Sequence, residues 1–262
     1  MPRRIPLCPD KGMRPSDKAP RHRSHLGRGL TRGARLAMCL WLAGLGSAAW
    51  ADTIASARFT DPTSRYAHGV LGDDLEWGAL ELTLSDGRVL THTLPDTRVF
   101  EDLAPRLGDL DGDTHPEVIV VESDTRTGAS LAIYTAQGKL AATPHIGTRF
   151  RWLAPAGAAD LDGDGRMEIA YVDRPHLAKT LRIWRFADGD LTEITTLPGL
   201  TNHRIGDDFI TGGLRDCGAG PELILASGDW RHVTSVRHAN GWVRTELGPY
   251  SPSAMARALN CE

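Results

Sequence analysis

The sequence lacks the short motifs of several common catalytic sites. After residue 51 there is no His-Glu-x-x-His, no Gly-x-Ser-x-Gly and no glycine-rich phosphate loop. These absences argue against a zinc protease, an α/β-hydrolase and a P-loop nucleotide hydrolase. The histidines in this part of the chain are scattered without metal-ligand spacing. Each is therefore interpreted as a surface or hydrogen-bonded residue.

Long apolar runs are also missing after residue 51, so no membrane span is expected. The one marked apolar run, residues 36–50, follows ten Lys and Arg residues and two acids in residues 1–35. Small residues flank Trp50, which suits a cleavage site. The pattern predicts a secretory signal peptide over residues 1–51, with a true start at Met1 or Met13, and a periplasmic or secreted product.

The chain after residue 51 has no excess of positive charge. Ten of the 30 Lys and Arg residues and two of the 33 Asp and Glu residues precede residue 52, so the remaining 211 residues carry a formal charge of −11. An acidic protein is a poor general nucleic-acid binder, and no nucleic-acid partner is expected.

Cysteine is scarce. Of four cysteines, Cys8 and Cys39 precede the expected cleavage site, which leaves Cys217 and Cys261. In an oxidising compartment these two are expected to form a disulfide that stabilises the fold by about 4 kcal/mol. The alternative is a pair of free thiols in a reducing compartment.

Two acidic loops, 51 residues apart, are the most informative feature of the chain. Their acids stand at loop positions 1, 3, 5 and 9: Asp109, Asp111, Asp113 and Glu117 in the first, Asp160, Asp162, Asp164 and Glu168 in the second. Glycines allow the loops to curl, so the four carboxylates can converge on a hard cation, most simply Ca²⁺. A solvated acidic turn without metal is the alternative.

An EF-hand is excluded because its loop needs a bidentate Glu at position 12 and a helix on each side. Position 12 is Val120 in the first loop and Tyr171 in the second. β-Branched and aromatic residues follow both loops and favour strands. The loops are therefore predicted to connect one strand to the next.

A second marker repeats with the same period. Hairpin-turn signatures carry Gly87, Gly138, Gly189 and Gly241, spaced 51, 51 and 52 residues apart. The period predicts an all-β chain, a small β-propeller of about four four-stranded blades, over residues 52–250. The repeats are placed at about 52–95, 96–146, 147–198 and 199–250, and residues 251–262 form a short helical tail.

The first and last repeats lose the acidic ligands. The equivalent positions hold Arg58, Thr60, Pro62 and Tyr66 in the first repeat, and Leu214, Asp216, Gly218 and Glu222 in the last. Neither loop is expected to bind metal. Cys217 lies in the loop of the last repeat. The disulfide is therefore expected to stabilise this repeat, which calcium does not stabilise.

With these loops and turns, the chain resembles the FG-GAP/VCBS repeat family, which includes the integrin α-subunit propellers. The resemblance implies structural Ca²⁺ at both acidic loops, with backbone carbonyls of His115 and Arg166 completing the two ligand sets. No Phe-Gly pair precedes the loops and no Gly-Ala-Pro follows the next strand. Integrin-like adhesion is therefore not carried over.

The connections at the other end of the strands contain a recurrent arginine. We predict that they form a face for a carboxylate, phosphate or acidic glycan. Its residues are Arg98, Arg126, Arg149, Arg174, His176, His203, Arg204, Trp230 and Arg231. The alternative is a set of solvated arginines paired with neighbouring acids.

The favoured function is an exported, calcium-stabilised module that binds a protein or acidic ligand without chemistry. The alternative is a hydrolase or lyase acting on an exported polymer, with structural calcium. Its candidate acid–base pairs are Tyr66 with His68, Glu101 with Asp102, and Asp207 and Asp208 with His203. An open half-propeller that completes itself as a homodimer is a further possibility of assembly.

Overall fold

The computed structural model describes residues 52–72 and 75–262. They form an all-β fold with one short helix near the C-terminal end. The predicted signal segment, residues 1–51, lies outside the described residues together with Cys8 and Cys39. Among the described residues, no helix is long and apolar enough to cross a membrane.

The first sheet has eight antiparallel strands. They are β1 (Ile54–Thr63), β2 (Glu76–Leu84), β3 (Val89–Thr93), β4 (Arg98–Phe100), β5 (Arg106–Gly108), β6 (Glu117–Asp124), β7 (Gly128–Thr135) and β8 (Gly138–Ala142). The main path is β1-β2-β4-β6-β7-β8, while β3 pairs with β2 and β5 pairs with β6.

The first repeat differs from the prediction. Arg58, Thr60 and Pro62, expected in a loop, lie in β1, which pairs with β2 from Ile54 to Thr63 because its apolar side chains pack under that sheet. The short strand β4, expected in a connection, pairs with both β2 and β6. The first two predicted repeats therefore share one sheet, and strand pairing in the described residues does not close a ring.

The second sheet contains β9 (Leu153–Ala159), β10 (Glu168–Asp173), β11 (Thr180–Ala187) and β12 (Asp190–Pro198), in the order β12-β11-β10-β9. These four antiparallel strands lie within the third predicted repeat, at about 147–198, and equal the number of strands predicted for one blade. The third sheet contains β13 (Leu200–Thr201), β14 (Gly213–Asp216), β15 (Pro221–Ser227), β16 (His232–His238) and β17 (Trp242–Pro249). Its path is β13-β15-β16-β17, and β14 pairs with β15.

The four predicted glycine turns each connect an antiparallel hairpin: β2–β3, β7–β8, β11–β12 and β16–β17. In the third turn both Asp188 and Gly189 have positive φ, at 53° and 80°. Two successive left-handed residues match the right-handed twist of the flanking strands, which is why Asp-Gly favours a hairpin.

The core alternates along the buried strands. In β6, Val118 and Val120 pack with Leu80 and Phe100 inside the first sheet, whereas Ile119 and Val121 pack against the second sheet. In β10, Ile169 and Tyr171 belong to the shared core with the first sheet, and Ala170 and Val172 pack with Leu223 and Leu225 of the third. Both faces of these strands are covered, which explains their continuous apolar runs.

The predicted C-terminal helix and disulfide are both present. Helix α1 spans Pro252–Leu259, and the Ser251 hydroxyl caps it by accepting the Ala254 N–H at 3.0 Å. Met255 and Ala258 are buried against the third sheet. Cys217, in the β14–β15 turn, is bonded to Cys261 just after the helix. The disulfide therefore links the end of the helix covalently to the third sheet.

Removal of this disulfide by Cys217→Ser with Cys261→Ser is expected to lower the free energy of unfolding by up to about 4 kcal/mol, since the sequence separation of 44 residues makes the freed loop long. Urea unfolding of wild type and variant, both without reductant, measures the difference. Equal midpoints for the two proteins would contradict the assigned role.

Candidate functional site

The two acidic loops link β5 to β6 and β9 to β10, and they share one backbone design. In the first loop, Asp109 accepts the N–H of Gly112 at 2.8 Å and of Thr114 at 3.1 Å. In the second, Asp160 accepts the N–H of Gly163 at 2.8 Å and of Gly165 at 2.9 Å. The first acid of each loop therefore holds the turn that carries the others.

The final acid of each loop is buried and fixed at the start of a strand. Glu117 accepts the Leu110 N–H at 2.9 Å, and Glu168 accepts the Leu161 N–H at 2.8 Å. Burial is the main cause that raises the pKa of both carboxyls, and the charge of Asp111 and Asp162 raises them further. The ionised acids of each loop therefore repel one another.

Three of the four predicted carboxylates converge in each loop. Asp109, Asp111 and Glu117 form one group, and Asp160, Asp162 and Glu168 form the other, with one oxygen per residue lying within 4.8 Å of the rest. Asp113 and Asp164 lie outside these groups and accept the backbone N–H of His115 and Arg166, at 2.7 and 2.9 Å. The carbonyls of His115 and Arg166 stay predicted ligands.

The donor set suits calcium. Two oxygens bound to one Ca²⁺ at 2.3–2.6 Å can be at most about 5 Å apart, so three oxygens within 4.8 Å of one another can share an ion. All the converging ligands are hard carboxylate oxygens, which favour calcium or magnesium over softer metals. A loop flexible enough to supply further ligands suits calcium better than magnesium.

The two loops differ in their positively charged neighbours. Arg185, on β11, forms ion pairs with Asp162, Asp164 and Glu168. Among the residues that the structure describes, no Lys or Arg forms an ion pair with Asp109, Asp111, Asp113 or Glu117. In the described part of the chain, the second acidic group therefore has a positively charged partner and the first has none.

At the end of β10 opposite its acidic loop, the connecting loops form a cleft of about 230 Å³. The wall residues come from four connections: His68, Val70, Phe150, Arg151, Trp152, Arg174, Pro175, His176, Leu177 and Ile205. Leu177 and Ile205 are 63% and 83% exposed. The cleft thus combines apolar walls with two imidazoles and two guanidinium groups.

His68 is held in the cleft by a buried carboxylate. Its Nδ1 atom lies 2.5 Å from Oε1 of Glu101. The other carboxylate oxygen of Glu101, Oε2, accepts a hydrogen bond from the Ser123 hydroxyl. The Glu101 side chain is fully buried, and this burial raises its pKa. The ring of Phe150 stacks on His68 at 5.0 Å. The imidazole is thus oriented by its Nδ1 atom, leaving Nε2 for a ligand.

His176 is oriented by a second imidazole. His203 Nε2 lies 3.0 Å from the Asp207 carbonyl oxygen, which can only accept, so this nitrogen carries the proton. In the neutral ring Nδ1 of His203 is then an acceptor, and it receives a hydrogen bond from His176 Nε2 at 2.8 Å. The Nδ1 atom of His176 remains as a hydrogen-bond acceptor.

Most arginines of the predicted face have partners of their own in the described residues. Three of them pair with acids: Arg98 with Glu122 and Asp124, Arg174 with Asp173, and Arg231 with Asp229. Two stack on rings: Arg149 on Phe150 at 4.5 Å, and Arg204 on Trp230 at 4.2 Å. The side chain of Arg126 forms no ion pair within the described residues. Only Arg174 and His176 of the predicted face line the cleft.

Sequence reasoning missed the pairing of His68 with Glu101. It placed His68 beside Tyr66 and Glu101 beside Asp102, because it compared residues that are close in sequence. In the fold, Tyr66 instead accepts the Phe150 N–H at 2.7 Å, and Asp102 pairs with Arg106. His68 and Glu101 are 33 positions apart, and they meet because β4 joins two predicted repeats. No sequence signal indicated that strand.

Residues 109–171 match the family described as FG-GAP-like repeat. No curated protein matches the chain. Among solved structures, the V. cholerae biofilm matrix protein Bap1 is similar with a TM-score of 0.26 and 13% identity. The match covers 68% of this chain and 32% of that protein. The chain spans about a third of the length of that protein.

Thr114→Gly is expected to stabilise the protein by about 1 kcal/mol. Thr114 has a φ of 72° in the first loop, where the second loop has Gly165 at 85°, and a β-branched residue is strained in this conformation. Urea unfolding in chelator measures the gain. The control Thr196→Gly, at a strand position without positive φ, is expected to destabilise. Destabilisation by Thr114→Gly would contradict the strain argument.

His176 is expected to make the fold sensitive to mild acid. Its pKa falls from 6.5 to about 4, mainly through burial, with smaller contributions from His203, His68 and Lys179 and an opposing one from Asp207. The unfolded chain therefore binds more protons between pH 6.5 and 4. This contribution to stability is complete above pH 6.5 and is lost as pH falls to 4.

The melting temperature in chelator should accordingly fall from pH 6.5 to 4 by a few degrees more in wild type than in His176→Gln. The variant His232→Gln serves as control, because the His232 ring is partly exposed and pairs with Glu246 instead of with His203. Parallel curves for wild type and His176→Gln would rule out the assigned role.

Proposed function

We propose that this chain, which carries an FG-GAP-like repeat over residues 109–171, is an exported, calcium-stabilised binding module that holds a protein or acidic ligand without chemistry. The observation that carries the proposal is the arrangement of β6 and β10. β10 begins at the second acidic loop and ends at the connection that supplies Arg174 and His176 to the cleft. β6 begins at the first acidic loop, and Ser123 near its other end donates to Glu101, which orients His68 in the cleft wall.

Calcium is proposed at both acidic loops, with Asp109, Asp111 and Glu117 as the first carboxylate set and Asp160, Asp162 and Glu168 as the second. The oxygen spacing and the hard donors support this assignment. When bound, the ion neutralises the crowded carboxylates. The chain itself holds each loop through the backbone bonds accepted by Asp109 and Asp160.

A small propeller of about four blades is proposed for residues 52–250. Support comes from the four hairpins at the predicted period and from cores shared face to face between successive sheets. Face-to-face packing of sheets with short connections is the way in which blades stack around an axis. The proposed repeats are 52–95, 96–146, 147–198 and 199–250.

Export to the periplasm or the extracellular space is proposed because a disulfide joins Cys217 and Cys261. Disulfides persist in oxidising compartments and are rare in reducing ones. The predicted signal segment agrees with this location.

The ligand site is proposed at the cleft. Arg151 and Arg174 supply guanidinium groups, and the positioned ring of His176 presents an acceptor nitrogen beside them. An acidic glycan or acidic protein segment matches this chemistry, because its carboxylates bind guanidinium groups and its hydroxyl or N–H groups can donate to the acceptor nitrogen of His176.

The calcium assignment predicts a rise in melting temperature. Calcium at a hundredfold excess over its Kd should raise the melting temperature by about 5–10 °C relative to chelator. The double variant Asp109→Ala with Asp160→Ala should melt at the same temperature in both conditions. A calcium-induced rise that survives in the double variant would contradict the assignment.

The ligand assignment predicts salt-sensitive binding to an acidic polymer. Polygalacturonate and a polyglutamate peptide serve as probes in calorimetry, with dextran as the neutral control. Arg151→Gln with Arg174→Gln should weaken binding of the acidic probe at least tenfold, while Arg58→Gln, on exposed β1, should leave it unchanged. Equal binding by both variants, or no binding of any acidic probe, would contradict the site.

A hydrolase or lyase is the second candidate, favoured by the His68–Glu101 pair. A carboxylate that orients an imidazole is a recurrent acid–base arrangement. Release of new reducing ends or unsaturated products from a polysaccharide panel tests it. Turnover by wild type that His68→Gln abolishes would replace the binding module with an enzyme.

A further inference from the structure

We propose that the two acidic loops are inequivalent cation sites: the first requires an external divalent cation, whereas Arg185 serves as a tethered cation at the second and opposes calcium there. This inference rests on the proposed function, since it assumes that calcium is the ion the loops select. It goes beyond that function by assigning different affinities to two loops of nearly identical sequence.

Arg185 contacts most of the carboxylates of the second loop. Its Nε atom lies 2.8 Å from Glu168 Oε1, and its Nη1 atom lies 3.0 Å from Asp164 Oδ2. Its Nη2 atom donates directly to Asp162 Oδ2. A single guanidinium thus uses all three of its nitrogens on three acids, which is the planar multidentate recognition to which arginine is suited.

The position of Arg185 is set by strand register. Arg185 on β11 is the direct cross-strand partner of Glu168 on β10. Its side chain is 21% exposed, and the Glu168 side chain is fully buried. An ion pair in this environment is screened by water far less than a surface pair, so it is retained in ordinary salt.

The first loop has a different residue at this position. Val118 pairs with Tyr134 in the β6–β7 register, so Thr135 is the next residue opposite Glu117. The Thr135 hydroxyl accepts the Gln137 N–H at 3.2 Å and carries no charge. Within the described residues, the acids of the first loop form no ion pair with Lys or Arg. Their negative charge is therefore left for an ion from solution.

Arginine and calcium compete for the same oxygens in the second loop. Asp162 and Glu168 belong to the group of acids that can share a metal ion, and both are bonded to Arg185. An entering Ca²⁺ has to displace the guanidinium from these oxygens or bind beside a fixed positive charge. Both alternatives lower the affinity relative to the first loop.

Calcium titration by calorimetry, on purified protein freed of metal, tests the inference. Wild type is expected to bind one ion tightly and a second at least tenfold more weakly. Asp109→Asn should remove the tight site, and Asp160→Asn should keep it. Binding of two ions with equal affinity, or loss of the tight site in Asp160→Asn, would overturn the inference.

A reciprocal exchange between the loops sharpens the test. Arg185→Thr, which gives the second loop the residue of the first, should tighten the weak site at least tenfold. Thr135→Arg should weaken the tight site. Arg182→Thr is the matched control: it removes an arginine from the same strand whose partners are Asp173 and Glu193, away from the loop, and should leave calcium binding unchanged.

The outcomes separate the two proposals. Tight binding of two equivalent ions refutes the role of Arg185 and leaves the calcium-stabilised module standing. Absence of calcium binding in wild type refutes both. If Arg185→Thr does not fold, as judged by circular dichroism, the comparison of Asp109→Asn with Asp160→Asn still decides the question, because each substitution removes one acid from one loop.

Discussion

Repulsion between carboxylates that the backbone forces together is the constraint on which this structure depends. Glu117 and Glu168 are buried at the first residues of β6 and β10, and each accepts a backbone N–H from its own loop. Their negative charge cannot move away without unfolding the start of a strand that is covered on both faces. A compensating positive charge therefore stabilises the fold. Arg185 supplies it in the second loop, and a divalent ion is proposed to supply it in the first.

This constraint lies at one end of β6, in the first sheet, and at one end of β10, in the second sheet. β6 ends at Asp124 and β10 at Asp173, and the connections that follow β10 supply Arg174 and His176 to the cleft. The strands pack through shared cores against their neighbours, so the loop end is held by the same apolar contacts that surround the acidic end. A cation bound at the acidic loops, as proposed, would stabilise the scaffold that orients the polar groups at the other end, without contacting them.

Local pattern predicted what depends on local chemistry. The glycine hairpins, the strands β9 to β12, the C-terminal helix, the disulfide and the convergence of three of the four predicted acids in each loop all follow from short-range spacing and turn preference. What was wrong or missed depends on register between distant strands. Arg58 was assigned to a loop because repeats were assumed equivalent, although β1 pairs along β2. Arg185 and the His68–Glu101 pair require knowledge of which residues stand opposite each other, and that is settled by side-chain packing across sheets.

The most direct test of the central claim is a crystal structure of the protein grown in about 1 mM calcium, with anomalous scattering used to locate the ions. The account predicts an ion at the first loop, bound by Asp109, Asp111 and Glu117 at about 2.3–2.6 Å. Ordered water or an unliganded acidic turn at that place, in crystals where the loop is free of lattice contacts, would contradict it.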